Sequence, residues 1–485
     1  MPIPKVIYQT WKTVNLTSNV HSVRERIRVL NPEYTMYLYD DDAIDSFIRM
    51  NFEERIYAAF SKLKNGAARA DFWRYCVLYK NGGIYLDIDS EILRPLNELI
   101  DFENDQCIIT REGNPGIFNN WIMIFEKEHP ILERTIELCC LNIEQTIKPA
   151  KINVCYLTGP AGPYTSAIND IMAPFVYQET NQYCAHLYFA EDAVINTLLN
   201  NPILPVRCRF YGIDMGSFAK CKHEFNDELY QTQPHWTVDT DIFDTSLSLE
   251  FFEKKIYSQN GEDGITMKLI EQLYGEDKQQ KFYVEFGVEN GFECNTRILW
   301  EKYGWFGLQM DGGHENNAIN LRKEYITKDN VVQLFQKYNV PNHIHLLSVD
   351  IDFNDFYCLK EILSVYTCDI IICEYNATHL PHEDKIVVYD QNGRWDGTNY
   401  FGVSLLSLDK LSKKYNYSIV CCDKKGVNCF MVHNNIIKQK GLHFKNIGNI
   451  AKIYRPPKYA NGPNGGHGAD LQNRPYITFE EAIQL

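Results

Sequence analysis

The stretch that decides the fold of the first half of the chain is AARADFWRYCVLYKNGGIYLDID, residues 67–89. Residues 65–80 carry a helical pattern. It stops at Asn-Gly-Gly, residues 81–83, where a glycine can adopt the left-handed conformation that ends many helices. Residues 84–92 follow at once and are predicted to form a strand. The segment therefore predicts a helix, a glycine turn and a strand in direct succession.

Acidic and basic side chains occur together in this segment. Side chains alternate along a strand, so Asp87 and Asp89 are expected on one face, where a divalent cation bridging a pyrophosphate would relieve their repulsion. Asp71 and Arg74 are three residues apart on the predicted helix and share a face that can hold a ribose or a phosphate. An Asp-x-Asp pair alone is common, and an Asp/Arg pair on a helix is usually a solvated ion pair. Their combination in one short segment favours a ligand site.

The alternation of strands and helices continues along both halves of the chain. It predicts an α/β protein with one domain at residues 1–240 and a second at residues 255–445. The polar residues 241–254 are the predicted linker, and the Pro-, Gly- and Asn-rich residues 446–485 are the predicted irregular tail. A chain of 485 residues also favours two domains over one.

The composition restricts the partners of the protein. The formal net charge of −15 argues against a nucleic acid, because neutralising its phosphates needs an excess of Lys and Arg. The chain has no uninterrupted apolar run near 18 residues and no apolar signal segment at its start, so we expect no stable membrane insertion. A cytoplasmic location is expected, in a bacterium or in the host of a large DNA virus. The 15 scattered cysteines favour reduced, buried thiols over a disulfide framework.

The first half resembles a known family of enzymes. Residues 67–89 resemble the DXD region of family 32 glycosyltransferases, which include yeast-type initiating α-1,6-mannosyltransferases and bacterial capsule-synthesis enzymes. The large clostridial glucosylating toxins are more distantly similar. Residues 3–12, IPKVIYQTWK, resemble the first strand of the family, with Tyr8 in place of the usual His. Asn-Asn-Trp at 119–121 and Thr-Gly-Pro at 158–160 are similar to later family blocks.

This resemblance implies a GT-A fold, a Rossmann-like nucleotide-sugar domain. It also implies retaining transfer of a hexose-type sugar from a UDP- or GDP-sugar to a glycan acceptor, with Mn²⁺ or Mg²⁺. Carried over position by position, it assigns donor binding to Gln9, Thr10, Trp11, Asp71, Arg74 and Asp87, with Trp11 stacking on the base. It assigns metal binding to Asp89, Asp87 and His235, with His223 as a second choice for the histidine.

The same resemblance gives catalytic roles to Arg74, Asp87 and Asp89. The metal and Arg74 would stabilise the charge that develops on the departing nucleoside diphosphate. No catalytic base is assigned, because retaining members of the family have no agreed enzyme nucleophile.

In the second half, FYVEFGVENG, residues 282–291, is an apolar strand that leads into a glycine turn. Gly287 would let the backbone approach a ligand, and Glu285 can bind a ligand hydroxyl or ammonium group. The next strand ends at Asp311, 24 residues after Gly287, close to the spacing of about 20 residues expected for an acidic group on a ribose.

Together these features resemble the cofactor fold of S-adenosylmethionine-dependent methyltransferases, nearest to FkbM-type enzymes. The resemblance implies a Rossmann-like, doubly wound sheet that binds S-adenosylmethionine through Glu285, Gly287, Gly291 and Asp311. A narrower set of methyltransferase-like bacterial domains shares the motifs around residues 257–264, 293–296, 348–355, 373–376 and 395–397. Phe353 stands where that set has Gly.

A second acidic group is predicted in this half. Asp350 and Asp352 share one face of the predicted strand 345–351, and Glu374 ends the predicted strand 370–374. Because strand C-termini meet at one edge of a parallel sheet, we predict that the three form a divalent-metal or substrate-hydroxyl site. The alternative is that they cap helices or bind the adenosine indirectly.

The leading hypothesis is a bifunctional enzyme, a sugar transferase joined to a sugar O-methyltransferase. The first alternative is a glycosyltransferase whose second half is a catalytically silent binding module. A toxin-like glycosyltransferase that modifies a host protein is the third possibility.

Overall fold

A computed structural model describes residues 2–111, 117–146, 153–171, 208–213, 215–216, 218–221, 242–275, 277, 279–462 and 465–485. The chain divides into two units, Met1–Thr245 and Ser246–Leu485, and each has its own large sheet. In the described part of the chain, no helix is both long enough and apolar enough to cross a membrane.

The first unit is built on a mixed six-stranded sheet in the order β2-β1-β3-β6-β5-β7. The strand β1 pairs in parallel with β2 and β3, whereas β6 runs antiparallel to β3 and β5. Two short strands, β4 and β8, form a separate antiparallel pair. The strands are β1 (Val6–Thr10), β2 (Thr35–Tyr39), β3 (Gly83–Leu86), β4 (Ser90–Ile92), β5 (Cys107–Arg111), β6 (Ile122–Phe125), β7 (Cys208–Ile213) and β8 (Ala219–Cys221).

The first unit contains the helices α1 (Ser18–Leu30), α2 (Asp41–Asn51), α3 (Glu54–Ser61), α4 (Gly66–Asn81), α5 (Pro130–Gln145) and α6 (Val154–Leu157), and residues 165–171 are also helical. The predicted helix at 65–80 is confirmed as α4. Asn65 caps it by accepting hydrogen bonds from the backbone N–H groups of Ala67 and Ala68. Gly82 ends it at φ +68°, where a Cβ would lie 2.7 Å from the Lys127 nitrogen. Glycine is therefore required at this turn.

The predicted strand at 84–92 is wrong in one respect, because it breaks after Leu86. The Asp87 N–H donates to the Trp121 carbonyl (2.8 Å), and the Ser90 N–H donates back to the Asp87 carbonyl (3.1 Å). The chain therefore turns at residues 87–89 before β4 pairs with β8. Asp87 and Asp89 lie in this turn and do not share the face of a continuous strand.

The second unit contains a seven-stranded sheet in the order β11-β10-β9-β12-β13-β16-β15. The first five strands in this order are parallel, and β16 is antiparallel to both of its neighbours. The strands are β9 (Phe282–Phe286), β10 (Phe306–Asp311), β11 (Leu321–Lys323), β12 (His343–Val349), β13 (Thr367–Glu374), β15 (Tyr417–Cys422) and β16 (Asn428–His433). A separate antiparallel pair consists of β14 (Ile386–Val387) and β17 (Tyr476–Ile477).

Helices cover both faces of this sheet. Alternate strand residues enter two different cores: Val284 and Leu347 lie in one, and Tyr283 and Leu346 in the other. The sheet is therefore buried on both sides, as its apolar strands predict. The helices are α7 (Glu262–Tyr274), α8 (Arg297–Tyr303), α9 (Val331–Lys337), α10 (Asp355–Val365), α11 (Leu405–Lys414), α12 (Asn434–Lys440), α13 (Ile450–Ile453) and α14 (Phe479–Ala482).

The strand β12 ends two residues before its predicted end, at Val349. Asp352 has a left-handed backbone, φ +63°, which turns the chain away from the sheet direction. Asp350 and Asp352 thus follow the strand instead of sharing its face, and the prediction of a shared strand face is wrong.

Residues 246–254 of the predicted linker, and the predicted tail, are packed parts of the second unit, whereas residues 242–245 of the linker belong to the first unit. Leu249 is buried, and the Glu250 carboxylate is paired with the Arg455 guanidinium. The Tyr375 hydroxyl donates to the Arg455 carbonyl (2.7 Å). The tail also supplies β17 and α14. Pro and Gly end regular elements, but they do not prevent a segment from packing on a core.

Candidate functional site

The centre of the site in the first unit is the guanidinium group of Arg74, on α4. Arg74 is only 5% exposed. Its Nη2 lies 3.2 Å from Oδ1 of Asp71 and 3.2 Å from Oδ1 of Asp87, and Nη1 donates to the Asn120 carbonyl (2.7 Å). The guanidinium carbon lies 4.3 Å from the centre of the Tyr85 ring. One buried cation thus joins the helix, the turn after β3 and the segment before β6.

The Asp87 carboxylate is only partly used by these contacts. The Tyr85 hydroxyl donates to its Oδ1 (2.7 Å), the same oxygen that faces Arg74. Among the described residues none donates a hydrogen bond to the second oxygen, Oδ2, and the side chain is 27% exposed. Asp89 follows two residues later in the turn and is partly buried. Hard divalent cations prefer such oxygen ligands, so the two carboxylates fit a metal ion.

Asp71 lies deeper than Asp87 and is 7% exposed. Its Oδ1 accepts a hydrogen bond from the Asn120 side-chain amide (3.1 Å). Burial raises the pKa of Asp71, the charge of Arg74 lowers it and the charge of Asp87 raises it, and the net pKa is about 6. A Cβ at Gly159 would lie 3.0 Å from Oδ2 of Asp71. The glycine of the 158–160 block therefore allows that segment to approach the carboxylate.

The end of β1 lies beside this group. The Gln9 side-chain amide donates to the Asp87 carbonyl (3.4 Å), and its oxygen accepts from Arg24. The Thr10 hydroxyl donates to the Tyr39 carbonyl (2.8 Å). Trp11, the next residue, is partly buried and packs against the core of the unit. Gln9 and Thr10 thus use their side chains to hold the strand end and the acidic turn.

The structure brings together Asp71, Arg74 and Asp87, with Gln9 beside them. His235 and His223 lie outside the described residues. The roles of Asn120 and Tyr85 were not predicted. Tyr85 stands two residues before Asp87, a spacing that indicates a possible contact between the two side chains. Asn120 belongs to the 119–121 block, whose only signal in the sequence is its resemblance to a family block.

In the second unit, the predicted cofactor residues make mostly internal contacts. The Glu285 carboxylate accepts hydrogen bonds from the backbone N–H groups of Asn295 (2.8 Å) and Thr296 (3.0 Å) and from the Thr296 hydroxyl. Burial raises the pKa of Glu285, and these hydrogen bonds lower it. The Asp311 carboxylate accepts from the backbone N–H groups of Glu289 (2.9 Å) and Gly313 (2.7 Å).

The two glycines of this turn have positive φ angles, +81° at Gly287 and +78° at Gly291. A Cβ at Gly287 would lie 1.5 Å from the Asp350 carbonyl oxygen, and one at Gly291 would lie 2.5 Å from Cδ1 of Ile319. Gly287 was predicted to give a ligand access to the backbone. In the structure the space it leaves is used by the Asp350 carbonyl.

Three groups of described residues have ligand atoms within 4.8 Å of one another, close enough to share a metal ion. They are Cys107 with His129 and Cys208, His343 with His345 and Asp369, and Asp350 with Asp352 and Glu374. The last group brings together the three residues of the predicted acidic site. Burial raises the pKa of Asp350 and of Glu374 well above the ordinary values, and neighbouring carboxylates raise both further.

The family model that matches this chain lies within the first unit. Residues 17–105 match the family model described as the glycosyltransferase sugar-binding region containing the DXD motif. Inositol phosphoceramide mannosyltransferase 3 of Schizosaccharomyces pombe is 34% identical over 134 residues, which are 28% of this chain and 36% of that protein. The initiation-specific alpha-1,6-mannosyltransferase of the same yeast is 28% identical over 195 residues, 35% of this chain and 49% of that protein.

An uncharacterized glycosyltransferase of Acanthamoeba polyphaga mimivirus is 32% identical over 136 residues, 27% of this chain and 53% of that protein. The chain thus spans about a third to a half of the length of these relatives. A solved structure, the PaToxG glycosyltransferase, aligns with 42% of this chain and 87% of its own at 22% identity, with a TM-score of 0.32. The segment that holds Asp71, Arg74, Asp87 and Asp89 therefore matches a glycosyltransferase sugar-binding region with a DXD motif.

Proposed function

We propose that the first unit is a metal-dependent retaining glycosyltransferase of the GT-A type, which moves a hexose from a nucleotide-diphospho-sugar to a glycan acceptor. The observation that carries the proposal is the buried Arg74 held between Asp71 and Asp87, inside the segment that matches the sugar-binding region. Because several relatives are named mannosyltransferases, mannose is the first hexose to test.

The contacts of the site suggest a role for each residue. Asp87 and Asp89 would hold Mn²⁺ or Mg²⁺, which would stabilise the negative charge on the departing diphosphate. Arg74 adds a positive charge that is already oriented by Asp71, Asp87 and the Asn120 carbonyl, so it needs no reorganisation during the reaction. Asp71 can accept a hydrogen bond from a ribose or sugar hydroxyl. Trp11, at the end of β1, is the candidate for stacking on the base.

The proposal is tested with a panel of UDP- and GDP-sugars, Mn²⁺ and the full chain, with release of free nucleoside diphosphate as the measurement. Slow hydrolysis of one donor is expected, with loss of activity on adding EDTA and at least about a hundredfold loss in Asp89→Ala, because the metal loses a ligand. Glu103→Ala, which removes an exposed acid of the same unit, is the matched control. A folded protein that neither turns over nor binds any donor would contradict the proposal.

A second activity, methyl transfer to a sugar hydroxyl from S-adenosylmethionine, is proposed for the second unit. It is supported by the order of the parallel strands. From β9 the chain adds β10 and β11 on one side, and it then adds β12 and β13 on the other side, as in dinucleotide-binding sheets. The last strand of this sheet along the chain, β16, lies antiparallel between β13 and β15. Glu285 and Asp311 are at the carboxyl ends of the adjacent strands β9 and β10.

The alternative of a silent binding module stays open, because Glu285 and Asp311 already accept hydrogen bonds from the protein. Binding of S-adenosylmethionine to the full chain, measured by calorimetry, separates the two hypotheses. We expect a saturable isotherm and at least about tenfold weaker binding in Asp311→Asn, equivalent to about 1.4 kcal/mol. Glu480→Gln, at an exposed acid, should bind like the unmodified chain. No binding by the unmodified chain would favour the silent module.

A further inference from the structure

Four carboxylates lie at the carboxyl ends of the neighbouring strands β12 and β13 of the second sheet. Asp350 and Asp352 follow β12, Glu374 is the last residue of β13, and Asp355 is the first residue of α10. Oxygen atoms of Asp350, Asp352 and Glu374 lie within 4.8 Å of one another. Three carboxylates at this separation repel one another strongly in a partly buried site.

The protein itself does not compensate these charges. Neither a hydrogen bond nor an ion pair joins the side-chain oxygens of Asp350, Asp352 or Glu374 to any other described residue. Elsewhere in this unit, the buried acids Glu285 and Asp423 accept hydrogen bonds from the protein on both carboxylate oxygens. The three carboxylates at the sheet edge therefore differ from the structural acids of the same unit.

Asp355 provides a second, independent observation. It is 0% exposed, and its Oδ1 accepts a hydrogen bond from the Ile351 N–H (2.7 Å), but Oδ2 is buried without a partner. Oε2 of Glu374 is also buried without a partner. Leaving a charged oxygen buried and unpaired is costly, so such atoms usually face a ligand or an ordered water.

One wall of the site is aromatic and comes from two distant segments. The His467 ring lies 4.5 Å from the Trp395 ring and 4.9 Å from the Tyr459 ring, measured between centres. Both segments pack on the chain that leaves β13 after Glu374: the Asn376 side-chain amide donates to the Asn399 carbonyl (2.8 Å), and a Cβ at Gly466 would lie 2.6 Å from Cγ2 of Thr378. The two segments are joined by the Asn399 N–H, which donates to the Gly468 carbonyl (2.7 Å).

We propose that Asp350, Asp352 and Glu374 bind a divalent cation, with Asp355 behind them, and that the cation holds hydroxyl groups of a sugar whose apolar face lies on the Trp395–His467 wall. Oxygen-only ligands of this kind suit Mg²⁺ or Mn²⁺ better than a soft metal. The sugar-binding half of this proposal rests on the proposed methyl transfer, whereas cation binding does not.

Cation binding is tested by titrating the full chain with Mn²⁺ alone and counting free Mn²⁺ by electron paramagnetic resonance. Asp89→Ala serves as the background, and without nucleotide this chain is expected to retain one bound Mn²⁺. Adding Glu374→Gln to this background should weaken the binding of that Mn²⁺ at least tenfold. Glu480→Gln in the same background is the control. Asp352→Asn, at an exposed position, should have the same effect as Glu374→Gln. Equal Mn²⁺ binding with and without either substitution would overturn the proposal.

A folding defect caused by Glu374→Gln would give a different result from loss of the Mn²⁺ site. Glu374→Gln keeps the side-chain volume and removes a repulsive charge, so the melting temperature without Mn²⁺ should be unchanged or higher. The added stability given by Mn²⁺ should disappear. A lower melting temperature without the metal would indicate that Glu374 has a structural role and would contradict the proposal.

Sugar binding is tested separately, through the water-proton relaxation caused by the bound Mn²⁺. Methyl glycosides of the common hexoses should lower this relaxation as their hydroxyls replace water on the metal. Trp395→Ala should weaken the glycoside effect without changing Mn²⁺ binding. If no glycoside changes the relaxation, the sugar-binding half is wrong. If the chain binds Mn²⁺ but not S-adenosylmethionine, the proposal of methyl transfer is wrong and the proposal of a cation site is unaffected.

Discussion

Arg74→Ala is expected to lower kcat/KM for sugar transfer about a hundredfold to a thousandfold. A loss of this size is typical when one oriented group that stabilises developing negative charge is removed. The reason is the position of Arg74, whose guanidinium is held between Asp71, Asp87 and the Asn120 carbonyl. The substitution also leaves two neighbouring carboxylates without their cation. Removing one partner of a buried ion pair typically costs about 3–5 kcal/mol of stability.

The two effects can be separated by measurement. Initial rates give kcat/KM, and thermal unfolding of the same sample gives the stability. Arg74→Lys keeps a positive charge but cannot reach all three partners at once, so its activity should be intermediate. Arg69→Ala is the matched control, because Arg69 is on the same helix and its guanidinium packs on Phe60, away from Asp71 and Asp87. If Arg69→Ala and Arg74→Ala lose equal activity, the effect comes from the helix and Arg74 has no special role.

The sequence predicts the helix, the turn and the start of β3 because their signals are local. Asn65 and Gly82 mark the ends of α4 by the conformations that these residue types favour. The break after Leu86 depends on a hydrogen bond to Trp121 and on the pairing of β4 with β8, which is about 130 residues further along the chain. No local pattern contains such information. The group around Arg74 could therefore be predicted only in part.

In the second unit, too, features with local signals could be predicted, and features that depend on distant contacts could not. Most strands of its sheet could be predicted because they are almost entirely apolar, whereas β11, residues 321–323 with Arg322 and Lys323, was missed. The end of β12 was also missed, because it depends on the backbone of Asp352. Asp350, Asp352 and Glu374 were predicted to converge because all lie at strand ends. The contributions of Asp355 and His467 could not be predicted, since they depend on how α10 begins and on how a Pro- and Gly-rich segment packs over the sheet edge.

Gly287→Ala is expected to have the largest effect on stability. Two costs combine: an alanine at φ +81° is strained by about 1–2 kcal/mol, and its Cβ would overlap the Asp350 carbonyl oxygen, 1.5 Å away. That carbonyl belongs to backbone, so the turn after β9 and the loop after β12 must both move. A total loss of about 4 kcal/mol or more is expected, which would lower the Tm of a unit of this size by roughly 8–16 °C.

Gly304→Ala isolates the contribution of the clash to this effect. Gly304 also has a positive φ, +65°, but no atom would lie within 4 Å of a Cβ there, so only the strain of about 1–2 kcal/mol is expected. Calorimetric unfolding of the full chain measures both variants under one condition. If both lower the Tm equally, the two loops can separate at little cost. If Gly287→Ala costs much more, the turn after β9 and the acidic loop form one rigid element, and Gly287 places Asp350 at the sheet edge.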